Sequence, residues 1–116
     1  MAARFRAYQE LLRMLKKKCP AAFSVCVRRV KLSHRLEGRC WKTGKKFYIQ
    51  IDKNLDEHKA MDVLIHEWAH ARAWNHRLDT ATDDEAFNKL AHDAAWGVAY
   101  AEIYSAYEQQ FTHTVL

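Results

Sequence analysis

The sequence predicts a single α+β domain in which one helix and three short strands precede two further helices. Three observations lead there. Residues 2–18 carry a helical apolar stripe, residues 23–51 are rich in β-branched alternation, and a helical period returns after Asp56 and persists.

The first helix reads from Ala2 to about Lys18, with Phe5, Tyr8, Leu11, Leu12 and Leu15 on one face and basic residues between them. Cys19-Pro20 ends it, because a residue before proline is pushed out of helical geometry. Residues 23–32, 36–42 and 46–51 read as strands, and Gly44 suits a hairpin turn between the last two. Asp56 is placed to cap a helix that turns Met61, Leu64, Ile65 and Trp68 inward. Thr82-Asp83-Asp84-Glu85 has the form of a capping box. It opens a last helix running through Phe87, Leu90, Ala94, Val98 and Ala101.

Composition narrows the class. With 116 residues, 49% of them apolar, and only three Gly and one Pro, the chain suits one ordered domain over residues 1–116. No stretch approaches the ~20 apolar residues of a membrane span, so no membrane partner is expected. Cys19, Cys26 and Cys40 are odd in number and lack C-x-x-C spacing, which argues against a disulfide framework and for the cytoplasm. Charge is asymmetric: residues 1–50 hold 14 Lys+Arg against 2 acids, and residues 51–116 hold 5 against 12. A basic half of this kind is the electrostatic footprint of nucleic-acid contact, and equally of a solvated helix face and a charge-defended edge strand.

The chemistry concentrates in His66-Glu67-Trp68-Ala69-His70. Helical residues four apart lie about 40° apart in azimuth and ~6 Å along the axis, so both imidazoles can reach one zinc ion. Glu67, next to the first histidine, stands where a carboxylate can take a proton from an attacking water. A third ligand is needed. His76 lies ten residues after His66, the metzincin spacing, but Ala73 stands where that family has a helix-breaking glycine. A helix continuing through Ala73-Trp74 would carry His76 ~15 Å up the axis and out of reach, as a C-terminal histidine against the dipole. His92, on a last helix antiparallel to the first two ligands and on one face with Trp96, Ala99 and Ile103, is the better candidate. Glu85 and Glu102 are the acidic alternatives.

These residues carry a resemblance. Arg35-Leu36-Glu37-Gly38-Arg39-Cys40, Phe47-Tyr48-Ile49-Gln50-Ile51-Asp52, Asn54-Leu55 and Leu64-Ile65-His66-Glu67-Trp68-Ala69-His70-Ala71 together resemble the core of the SprT-like zinc metallopeptidases. In that family a small sheet and an asparagine-leucine turn precede the metal helix. Its third histidine is followed four residues on by a bulky aromatic, which His92 and Trp96 resemble. Asp93 departs from the glycine often found after that histidine.

The resemblance implies a minimal zincin-like fold, a Zn2+ cofactor held by His66, His70 and His92, and peptide-bond hydrolysis with Glu67 as general base. In some members it implies work on DNA-bound proteins, here through the basic N-terminal half.

Around that centre, Tyr100, Tyr104 and Tyr107 are candidates to stabilise an oxyanion, and Asp62 or Asp93 to orient an imidazole. The 46–51 strand is expected to pair with an extended substrate. Two other functions fit the same residues: a non-catalytic, zinc-stabilised protein whose basic half binds nucleic acid or an acidic protein, and a hydrolase of a non-peptide bond.

Overall fold

The computed structural model describes residues 5–33, 35–79, 89 and 91–111, apart from the side chains of His76 and Phe111. The expected capping box at 82–85, with Glu85, Phe87 and Leu90, lies outside the described residues.

Helix α1 spans Arg6–Lys18 and turns Tyr8, Leu11, Met14 and Leu15 into the core. It stops where Cys19 meets Pro20, with the Cys19 amide still donating to the Leu15 carbonyl at 3.0 Å. Strands β1 (Ser24–Val30), β2 (Gly38–Thr43) and β3 (Lys46–Asp52) form a sheet in the order β1-β3-β2. The chain crosses from β1 to the far edge and returns through a tight hairpin to the middle slot. β3 is therefore parallel to β1 and antiparallel to β2. Gly44 makes that hairpin with a φ of 61°, and Lys45 does not share the positive φ, the pattern of a II′ turn.

The central slot corrects one expectation. β3 is hydrogen-bonded on both edges, so the 46–51 strand has no edge left for a substrate. Among the described residues, the edge strand that packs on α2 is β2, and no strand pairs with its outer edge. Alternation along β3 aims Phe47, Ile49 and Ile51 at the helices, where each is at most 1% exposed.

Helix α2 (Glu57–Arg72) is the centre of the molecule and touches α1, β2, β3 and the last helix. Asp56 caps it as expected, its Oδ1 accepting from the Lys59 amide at 2.8 Å. Met61, Leu64, Ile65 and Trp68 are all buried, and Trp68 donates its indole N–H to the Cys19 carbonyl at 2.7 Å. That bond ties the end of α1 to the middle of α2.

A second correction concerns the end of α2. The helix does not continue through Ala73-Trp74; it ends at Arg72 with Ala73 as its cap. Trp74 leaves the helical path to pack on Phe47, with ring centroids 5.7 Å apart, and donates its indole N–H to Asp79. Asn75 then accepts from the Arg77 amide at 2.9 Å, starting a short helix α3 at His76–Asp79. Tertiary packing of one tryptophan does what a glycine does elsewhere.

The last described helix, α4, spans Ala94–Phe111. Ala99 and Ile103 are buried against α2 as anticipated, but Ala94, Val98 and Ala101 face outward, with Val98 61% exposed. The apolar stripe of this helix runs instead through Trp96, Ala99, Tyr100, Ile103 and Tyr107. Among the described residues, no helix is long and apolar enough to cross a membrane, and all three cysteines are free thiols.

Candidate metal centre

One helical turn of α2 brings the His66 and His70 rings together, with their Nε2 atoms 3.3 Å apart. Two nitrogens bound to one tetrahedral zinc at 2.0–2.1 Å would stand roughly 3.3 Å apart, so the pair is spaced for a shared ion. His92 comes from the other side. It lies in the turn just before α4, not inside the helix as its sequence position suggested. Its ring centroid is 4.7 Å from that of His70 and 5.6 Å from that of His66. The ligating nitrogens of the three all lie within 4.8 Å of one another.

Two devices hold His92 in that turn. Asp93 accepts from the Trp96 amide at 3.1 Å, and its carbonyl accepts from the Gly97 amide at 3.2 Å. Asp93 is thus the N-cap of α4, which explains an acid directly after the histidine. Trp96 then lies against all three imidazoles, its ring centroid 5.2 Å from His66, 5.5 Å from His70 and 5.2 Å from His92. The indole forms an apolar wall behind the cluster.

The chemistry of the donor set also suits a metal. Burial, and then the neighbouring imidazoles, push the His70 pKa down to about 4; His66 is lowered for the same reasons. Both rings are therefore neutral at ordinary pH, the form that ligates zinc. The His70 ring is hydrogen-bonded to the backbone of Ala91. A backbone group, and not Asp62 or Asp93, thus orients this imidazole.

Glu67 is the only charged residue among the described core, 9% exposed, and burial raises its pKa to about 7. It stands with His66 in the wall shared by two clefts. The larger, about 420 Å³, opens between Gly38, Asp62, Tyr100 and Tyr104. The smaller, about 220 Å³, is bounded by Cys40, His70, Trp74 and His92. Strand β2 passes both, with Gly38 in the first and Arg39 and Cys40 in the second.

The remaining candidates fall elsewhere. Glu102 pairs with Arg72 at 3.5 Å and is not in the histidine cluster. The His76 side chain and Glu85 lie outside the described residues. Tyr107 lines neither cleft, whereas Tyr100 and Tyr104 line the larger. Sequence reasoning passed over two neighbours of Glu67. Burial, and secondarily the Glu67 charge, raise the pKa of the Cys40 thiol. At Gly38 the strand comes so close that a Cβ would lie 2.5 Å from Val63 Cγ1 and 3.3 Å from Glu67 Cγ. The period-2 alternation of β2 places both on one face, which is the signal that pointed to them.

No protein-family model, curated protein or solved structure matches this chain.

Proposed function

We propose that the chain is a zinc-dependent metallopeptidase of the SprT-like kind, with His66, His70 and His92 as metal ligands and Glu67 as general base. The observation that carries this reading is the placement of Glu67. It is a buried carboxylate one residue from a ligand, facing two open clefts, with a pKa of about 7. A structural metal site has no use for such a group, and its desolvation is a standing cost to the fold.

A zinc ion at the three imidazoles would supply Lewis-acid polarisation of the scissile carbonyl and acidify the attacking water. Glu67 then manages the protons. It takes one from the water as the oxygen bonds to the carbonyl carbon, and delivers it to the amine nitrogen as the C–N bond breaks. A pKa near neutrality suits both halves of that exchange. Trp96 excludes water from behind the ligands. The free edge of β2, running past both clefts, is the surface against which an extended peptide would pair through its backbone. Backbone pairing of this kind is tolerant of substrate sequence.

Zinc content and peptidase activity, measured together for wild type and Glu67→Gln, test the reading. The expected result is about one zinc per chain in both, with hydrolysis of an unfolded protein only by the wild type. Zinc-loaded wild type that cleaves no peptide bond, with Glu67→Gln indistinguishable from it, overturns the enzyme in favour of a zinc-stabilised binding protein. Hydrolysis of an ester or phosphodiester in place of a peptide keeps the site and changes the bond.

A further inference from the structure

The helices cover one face of the sheet, and the other face has its own chemistry. The core takes Val25, Val27, Cys40, Ile49 and Ile51 from the sheet, and neither Trp41 nor Tyr48. These two aromatics are direct cross-strand partners on the opposite face. Their rings stack with centroids 5.4 Å apart and planes within 16°. A cation flanks each of them. The Arg39 guanidinium lies 5.1 Å from the Trp41 centroid, and the Lys46 ammonium 5.5 Å from that of Tyr48. Arg28, paired across the sheet with Gln50, adds a third exposed cation to the same face.

Among the described residues, unpaired cations also occur on α1, at Lys16 and Lys17, and what sets this face apart is that its cations surround a stacked aromatic pair. On the helix side, Lys42, Lys59 and Arg72 are each matched by an acid: Asp79, Glu37 and Glu102. Among the described residues, Arg28, Arg39 and Lys46 form no ion pair with a carboxylate. An unneutralised cationic rim around a stacked aromatic pair has a specific complement. The cations match a phosphate chain, and the ring faces match unpaired bases, which a duplex keeps hidden in its own stack. An acidic peptide would satisfy the cations and leave the aromatic centre without a role.

We propose that the outer face of the sheet binds single-stranded nucleic acid, with a base against the Trp41–Tyr48 stack and phosphates at Arg28, Arg39 and Lys46. The Trp41–Tyr48 stack is on the far side of the sheet from His66, with Arg39 at the edge strand bordering the smaller cleft as well, and the proposal does not depend on the peptidase reading.

Fluorescence anisotropy with a labelled oligothymidylate of ~12 nucleotides, against the duplex of the same length, tests it. The single strand is expected to bind more tightly than the duplex. Joint Trp41→Ala and Tyr48→Ala replacement should weaken it about tenfold or more. Arg39→Gln or Lys46→Gln, exposed changes that leave the melting temperature in place, should weaken it and lower the salt slope by about one. Lys16→Glu with Lys17→Glu, on α1, should change affinity less than about threefold, since long-range charge alone is screened. The proposal is overturned by no binding of the single strand, by equal binding of the duplex, or by an α1 variant as damaging as the sheet variants. If the aromatic double variant unfolds, the two glutamine variants carry the decision.

Discussion

Gly38 on the edge strand β2 lies beside Glu67 on α2, packed so closely on that helix that a Cβ would collide with Val63. A Cβ at residue 38 would lie 3.3 Å from Glu67 Cγ, 3.3 Å from the Gln50 carbonyl oxygen and only 2.5 Å from Val63 Cγ1. The contact sets how near the free edge of β2 comes to the proposed general base. Gly38→Ala is expected to destabilise the fold by about 1–3 kcal/mol in urea titration, as overpacking does. It should lower peptidase activity more than zinc content, because the strand moves and the ligands do not. Unchanged stability would mean that β2 is not pressed on α2 at this point.

The proposed ligand set predicts which variants lose metal. His92→Ala should remove most of the bound zinc, as should His66→Ala or His70→Ala, since two imidazoles alone make a weak site. His76→Ala and Glu102→Gln should retain about one zinc per chain. Metal analysis of the purified variants decides this, and loss of zinc from His76→Ala with retention in His92→Ala would replace the third ligand.

Asp93 holds its neighbour by capping α4, with its side chain 3.1 Å from the Trp96 amide. Asp93→Ala is therefore expected to cost about 1 kcal/mol of stability through the lost cap. Zinc affinity should fall about tenfold as the turn carrying His92 loosens. A competition titration with a chelator measures the second effect. Asp93→Asn and Asp93→Ser, which keep a capping oxygen, should restore both.

Buried groups at the site pull the stability of the metal-free protein in opposite directions with pH. Glu67, raised from 4.5 to about 7, keeps a proton in the folded chain that the unfolded chain has lost. Its contribution is present below pH 4.5 and is lost as pH rises through 7. His70, lowered from 6.5 to about 4, is neutral where the unfolded chain is protonated; its contribution is present above pH 6.5 and lost as pH falls through 4. Between pH 4.5 and 6.5 the two slopes oppose each other. Glu67→Gln should therefore make stability climb with pH across that window more steeply than in the wild type, by about 2–3 kcal/mol in total. Urea titrations of both proteins at several pH values measure it, and parallel profiles would remove Glu67 from the account.

Periodicity alone determined a good deal of this protein. The apolar stripes of α1 and α2, the Asp56 cap, the Pro20 stop and the Gly44 hairpin are all local features, and local sterics and hydrogen bonding suffice to specify them. The spacing of His66 and His70 is local in the same sense, because it is one turn of one helix.

What depended on tertiary structure is what joins distant segments. α2 ends at Arg72 because Trp74 finds Phe47, 27 residues earlier, and no breaker residue in the local sequence announces it. β3 takes the central slot, and β2 the free edge, through a pairing of β1 with β3 that no turn signal encodes. His92 reaches the other two histidines because Asp93 starts a helix there and Trp96 seats that helix against them. Helical period and capping are readable because they act over four residues. Strand order, helix breaks made by packing, and a third histidine from another segment are set by contacts that form only once the chain has closed on itself.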